Sequence, residues 1–187
     1  MKRICALVLA KSDSKRLKSK NTIDFYGQPM FMWSVDKALR VFDDVYVSSD
    51  SNEILAIAVS AGAIPIKRHK SLCGDTPNIP CYQHAYAFMG APDAIVAIQA
   101  NSPTIKASKI LRAKQFAERE DFVELMTIHE DTKLYGSIWA MNKFRLLCYP
   151  DPLKPNPNIL MAEDSVDIHT KTDFKKALKQ MEDNDRR

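Results

Sequence analysis

Residues 11–21 read Lys-Ser-Asp-Ser-Lys-Arg-Leu-Lys-Ser-Lys-Asn, which puts five cations, Lys11, Lys15, Arg16, Lys18 and Lys20, on one short polar stretch. A nucleoside triphosphate needs such a loop: several positive groups and free backbone N–H donors around oxygens whose charge must be neutralised during attack at phosphorus. The stretch contains no glycine, so it is neither a Walker-type phosphate loop nor a G-x-G-x-x-G turn. By composition alone a solvated basic loop is the plainer reading.

The elements around the loop decide whether its charge is aimed at anything. Ile4 to Leu9 is an unbroken apolar run, the pattern of a strand covered on both faces. Phe25 to Pro29 reads as a turn, with Pro29 suited to the first turn of the next helix, where Phe31, Val35, Ala38 and Leu39 recur at helical spacing. Val45–Val47 predicts a second strand. Ser51 predicts the N-cap of a helix carrying Ile54, Leu55, Ala58 and Val59 on one face. Gly62 ends that helix, and Ala63–Ile66 predicts a third strand, short or at an edge because of Pro65.

Further along, a helix is predicted over about 80–89, a strand over Ala94–Ile98 and a helix over Lys106–Arg119. Val123–Ile128 and Ser137–Ala140 are two more strand candidates. The four prolines between Tyr149 and Pro157 predict an extended loop, and a helix is predicted over about 171–181. This alternation predicts an α/β fold, a Rossmann-like three-layer sandwich with a mostly parallel sheet, as a single domain over residues 1–187. Ligands of such sheets bind beyond the C-terminal ends of the strands. Polar residues gather at those ends: Lys11–Asn21, Ser48–Asp50, Arg68 and Gln99–Ser102.

Composition narrows the class. Apolar residues make up 45% and charged residues 27% of the 187, a globular mixture, and the net charge of +4 is not a nucleic-acid footprint by itself. No apolar run reaches the ~18 residues of a membrane span. Met1 to Ala10 lacks a small-residue cleavage site and runs straight into Lys11, so a cytoplasmic protein is expected. Cys5, Cys73, Cys81 and Cys148 are scattered without a C-x-x-C pair and read as reduced thiols. Trp33 and Trp139 read as core or site-wall aromatics, and His69, His84 and His129 show no metal spacing.

Ala10 to Asn21, with Phe25–Pro29 after it, resembles the N-terminal signature of the acylneuraminate cytidylyltransferase family, approximately Ala-Arg-Gly-Gly-Ser-Lys-Arg-x-x-x-Lys-Asn. Further likenesses follow in order: Val47-Ser48-Ser49-Asp50, then Arg68 with Leu72 and Asp75, then Gln99-Ala100-Asn101-Ser102-Pro103. Tyr135-Gly136-Ser137 resembles an Asn-Gly-Ala strand, and Asp167-Ile168-His169-Thr170 with Asp173-Phe174 resembles an Asp-Ile-Asp-Thr segment. The resemblance implies transfer of CMP from CTP to a 2-keto sugar acid with release of pyrophosphate. By position it implies that Ala10, Lys11, Ser14, Lys20 and Asn21 hold the nucleotide, with Lys11 and Lys20 catalytic. Arg68 and the loop near Asp75 would line the cytidine side, Gln99 would touch the sugar, and Asp167 would bind Mg²⁺. The implied partners are CTP and an acidic sugar, with a homodimer as an open assembly.

The chain also departs from that pattern. Lys11 stands for an arginine, which keeps the charge but loses the bidentate fork. Ser12-Asp13 stands for Gly-Gly, removing conformational freedom and adding a carboxylate near a polyanion. His169 stands for the second aspartate, although Mg²⁺ prefers oxygen ligands. Three outcomes stay open there: Asp167 works with Asp164 or Glu163, a nitrogen-tolerant metal such as Mn²⁺ is used, or the metal step is impaired. The segment from Pro103 to Asp167 is short for the family, which often carries a dimer-forming arm there. Two other readings remain, a nucleotidyltransferase for another sugar and a nucleotide-binding protein without turnover.

Overall fold

The structure is a computed structural model, and it describes residues 2–14, 16–129, 134–149 and 154–185. Lys15 and part of the proline-rich stretch, residues 150–153, lie outside the described residues.

The chain runs through β1 (Ile4–Leu9), β2 (Asp24–Phe25), β3 (Gln28–Pro29), α1 (Met32–Leu39), β4 (Val45–Ser49), α2 (Asn52–Ser60) and β5 (Ile64–Lys67). It continues through α3 (Asn78–Phe88), β6 (Ala94–Gln99), α4 (Ala107–Ala117), β7 (Glu124–Ile128), β8 (Leu134–Asn142), α5 (Lys143–Leu147), β9 (Ile159–Ala162) and α6 (Lys171–Asp185). Among the described residues, seven strands form one sheet in the order β5-β4-β1-β6-β8-β7-β9. Parallel pairs join β5 to β4, β4 to β1, β1 to β6 and β7 to β9, while β8 runs antiparallel to both its neighbours.

The period of two in β1 divides the core. Ile4, Ala6 and Val8 pack with α1, α2 and α4 on one face, and Cys5 and Leu7 pack with α3 and α5 on the other. Each fully buried aliphatic side chain there contributes roughly 1.5–3 kcal/mol. A third cluster joins Leu17 of the basic loop, Phe25 and Met30 beside the small hairpin, Val166 and Ile168, and Ala177 and Met181 of α6. The Phe25 and Phe174 rings meet edge to face at 5.3 Å. This cluster anchors the basic loop to the end of the chain.

Local sequence explains several boundaries. The Ser51 side chain accepts from the Ile54 N–H and caps α2 as expected. Thr170 and Asp173 form a reciprocal capping box at the start of α6, Asp173 N–H donating to Thr170 Oγ1 at 3.2 Å and Thr170 N–H to Asp173 Oδ2 at 2.8 Å. Pro65 sits in the edge strand β5, where a missing N–H is tolerated. Pro29 does not open α1: it pairs with Asp24 in the hairpin, and the helix starts at Met32. Gly27 at φ 91° makes the tight turn of that hairpin. The short elements β9 and α5 have too few residues to show a period, and the sequence reading placed neither. Among the described residues, no helix is long and apolar enough to cross a membrane.

Candidate active site

A cavity of about 340 Å³ opens beyond the C-terminal ends of β1, β5 and β6. Lys11, Lys20 and Asn21 line it from the loop after β1, Arg68 from the end of β5, and Gln99, Asn101 and Ser102 from the end of β6. Tyr135, Asp167 and His169 close another wall. Of the expected site residues, Lys11, Lys20, Asn21, Arg68, Gln99 and Asp167 therefore come together around one space. Ala10 and Ser14 do not line it: Ala10 is fully buried with its N–H donated to the Ser48 carbonyl at 3.1 Å, and Ser14 is half-buried.

The loop after β1 is held at several points although Ser12, Asp13, Arg16, Lys18 and Ser19 are exposed. Asp50, at the end of β4, accepts the Ser12 N–H at 2.8 Å and the Ser12 hydroxyl at 2.5 Å. Burial alone would raise the Asp50 carboxyl, but these bonds outweigh it and hold the group below the usual range. Asn21 Nδ2 donates to the Lys11 carbonyl at 2.7 Å, closing the loop on itself. Ser12 and Asp13 have no positive φ, so the backbone does not use the freedom that two glycines would provide. Asp13 is exposed and outside the cavity lining, which removes the expected clash with a polyanion.

The cations are unequal. Lys11 Nζ donates to the Gly74 carbonyl at 3.1 Å, so the loop after β1 touches the loop after β5. Lys20 Nζ donates to the Ile168 carbonyl at 2.9 Å. Burial pushes the Lys20 ammonium down to about 8; Arg16 and Lys11 lower it further, while Asp167 and Asp173 pull it back up. Arg68 is 6% exposed and donates to the Ser48 carbonyl at 2.7 Å and the Ser48 hydroxyl at 3.3 Å. Its guanidinium is thereby fixed in the cavity wall.

The loop after β6 is braced from behind by α1. Ser34 Oγ donates to the Gln99 carbonyl at 2.8 Å and Lys37 Nζ to the Pro103 carbonyl at 2.6 Å. In front, Asn101 Nδ2 donates to Asp167 Oδ1, and Ile168 N–H donates to the Asn101 carbonyl at 2.9 Å. The Tyr135 hydroxyl bonds Ser102 at 3.0 Å, and its ring stacks on His129 at 3.9 Å. Burial raises the Tyr135 phenol well above its usual range, so it stays a neutral hydrogen-bonding group. The sequence by itself assigns no role to Asp50, Asn101 or Tyr135. The strand-end pattern pointed at the first two, but nothing local named their partners.

Asp167 Oδ2 and His169 Nε2 lie 2.7 Å apart on the cavity wall. Among the described residues no group of three metal-ligating side chains occurs. An all-protein metal cage is therefore not what these residues form. A divalent cation bound with a nucleotide takes most of its ligands from phosphate and water and needs only one or two protein donors. Asp167 fits that lesser demand.

Residues 5–152 match the family described as cytidylyltransferase. Pseudaminic acid cytidylyltransferase of Campylobacter jejuni is 42% identical over 78 residues, covering 40% of this chain and 33% of that protein. N-acylneuraminate cytidylyltransferase of Escherichia coli is 25% identical over 188 residues, covering 92% of this chain and 45% of that protein. The chain spans less than half the length of these two curated relatives. The solved structure of CMP:2-keto-3-deoxy-manno-octonic acid synthetase complexed with CTP shares the fold, with a TM-score of 0.77 at 14% identity over 97% of this chain and 99% of that one. With the basic loop, the strand-end cavity and the matched segment all falling in one fold, the chain belongs to the cytidylyltransferase family.

Proposed function

We propose that this chain transfers CMP from CTP to a 2-keto sugar acid and releases pyrophosphate. The observation that carries the reading is the convergence of Lys11, Lys20 and Arg68 on one cavity at the strand ends, with Gln99 and Asp167 on its other walls. Family membership and the sugar-acid cytidylyltransferases among its relatives support the same choice.

In this reading Lys11 and Lys20 face the triphosphate, where fixed positive charge stabilises the oxygens as the leaving group departs. Arg68 and the loop carrying Gly74 wall the nucleoside side, and Gln99 offers an amide to the acceptor. The anomeric hydroxyl of the sugar attacks the α-phosphorus and gives its proton to solvent; the new oxygen–phosphorus bond forms as the bond to the bridging oxygen of pyrophosphate breaks. Asp167 would hold a divalent cation together with phosphate oxygens. Such a cation, when bound, would neutralise charge on the triphosphate. Tyr135, held by Ser102, stands between this cavity and an adjoining one of about 510 Å³ that it shares with Asp167.

The test is pyrophosphate release from CTP in the presence of Mg²⁺ or Mn²⁺ over a panel of nonulosonic and octulosonic acids. Release with one acceptor class and not with neutral sugars is expected. CTP binding without release from any acceptor overturns turnover and leaves a nucleotide-binding protein.

A further inference from the structure

We infer that Lys37 is a positioning residue for the acceptor: from outside the cavity it holds the loop after β6 in the shape that presents Gln99. The inference rests on the cytidylyltransferase reading and names a determinant of how that same site takes its sugar.

Lys37 belongs to α1 and does not line the cavity. It stands one turn after Ser34, on the same helix face. Ser34, fully buried, donates Oγ to the Gln99 carbonyl at 2.8 Å, and Lys37 Nζ donates to the Pro103 carbonyl at 2.6 Å. The two bonds grip both ends of residues 99–103. Between and beyond them the backbone makes two successive turns, with the Ser102 N–H on the Gln99 carbonyl at 3.3 Å and the Ile105 N–H on the Ser102 carbonyl at 3.1 Å. Gln99, Asn101 and Ser102 of that stretch line the cavity. In front, the Val166 N–H donates to Thr104 Oγ1 and the Ile168 N–H to the Asn101 carbonyl, at 2.9 Å each. The loop is thus clamped between α1 and the segment before α6, and Lys37 is part of the rear jaw.

The lysine is not placed there for stability. Burial pushes the Lys37 ammonium down to about 8; Arg40 lowers it further, while Glu163 and Asp36 pull it back up. A cation in that place loses solvation that its bond to a neutral carbonyl restores only in part. An apolar chain of the same length could pack against Trp33, whose ring centroid lies 5.3 Å from Nζ, without that loss. What the cation supplies is a directed, charge-assisted bond to one carbonyl, which fixes the far end of the loop. A group kept at a cost in stability is expected where it holds a site.

The test compares the wild type with Lys37→Met and Lys37→Arg by pyrophosphate release, CTP binding, thermal unfolding and amide hydrogen exchange. Lys37→Met should raise KM for the sugar acid by about tenfold while CTP affinity stays within about twofold. Its melting temperature should match or exceed that of the wild type, whereas loss of a merely structural lysine would lower it. Exchange at the Ser102 and Ile105 N–H groups should quicken by about tenfold. Lys37→Arg, which keeps a charged donor, should restore most of the lost acceptor binding. An unchanged acceptor KM or unchanged exchange in Lys37→Met overturns the inference and leaves the cytidylyltransferase reading standing. A lower melting temperature with CTP affinity lost in parallel makes Lys37 a structural residue and overturns it too. A wild type that releases pyrophosphate with no acceptor overturns the reading, and the acceptor role of Lys37 with it.

Discussion

The Lys20 ammonium donates to the Ile168 carbonyl, 148 positions along the chain, at 2.9 Å. One side chain thereby joins the cationic loop after β1 to the segment that carries Asp167 and His169. It also takes a charge into a partly buried place, which costs solvation, and the lowered pKa records that cost.

Replacing Lys20 with Ala removes the strap and a cation from the cavity wall, and under the proposed reaction kcat/KM for CTP should fall by about 10²–10³. The pH dependence has a definite sign. A lysine lowered to about 8 loses its proton as pH rises past that value, so CTP affinity should weaken by up to about tenfold per pH unit above 8. Stability moves the other way: between about 8 and 10.5 the unfolded chain holds a proton that the folded chain lacks, and the solvation cost of burial is relieved as pH rises. Lys20→Arg keeps its charge and should keep CTP affinity level over the same window. Calorimetric titration of CTP at several pH values checks this.

Asp50→Ala should leave the Ser12 N–H and hydroxyl without their acceptor and loosen the loop. A fall in kcat/KM of about tenfold to a hundredfold is expected. Asp50→Asn retains an acceptor for the N–H and should recover part of the loss. Steady-state kinetics on both variants test the brace.

Asp13→Gly should change kcat/KM by less than about threefold, because Asp13 is exposed, outside the cavity and without positive φ. A large gain in activity would show that the carboxylate does reach the nucleotide.

Glu124 is fully buried at the end of the sheet away from the cavity. It accepts Trp139 Nε1 and the Tyr149 hydroxyl at 2.8 Å each and Arg145 Nε at 2.6 Å. Glu124→Ala strands a half-buried guanidinium and the buried Trp139 N–H, while the Tyr149 hydroxyl keeps the Lys154 carbonyl as an acceptor, and should cost about 3–5 kcal/mol in denaturant unfolding. CTP affinity of the remaining folded protein should stay the same. A parallel loss of affinity would place Glu124 in communication with the site.

Periodicity and end signals determined much of this protein. The apolar run Ile4–Leu9, the Ser51 cap and the alternating helices and strands fixed the α/β class and pointed to the strand-end edge of the sheet where the cavity opens, because those features depend on residues close in sequence. The loop motif and the order of the later segments pointed to the family. Only the tertiary structure settled how the cationic loop is held, since its anchors Asp50 and Ile168 lie 38 positions from Ser12 and 148 from Lys20. It also decided which acid serves which task. Asp13, Glu163, Asp164, Asp167 and Asp173 are alike as letters, yet hydrogen bonds and burial leave Asp167, with His169 beside it, at the cavity wall and turn the others to solvent, to serines, to Lys106 or to a helix cap. A sequence specifies donors and acceptors, but their pairing is a property of the folded chain.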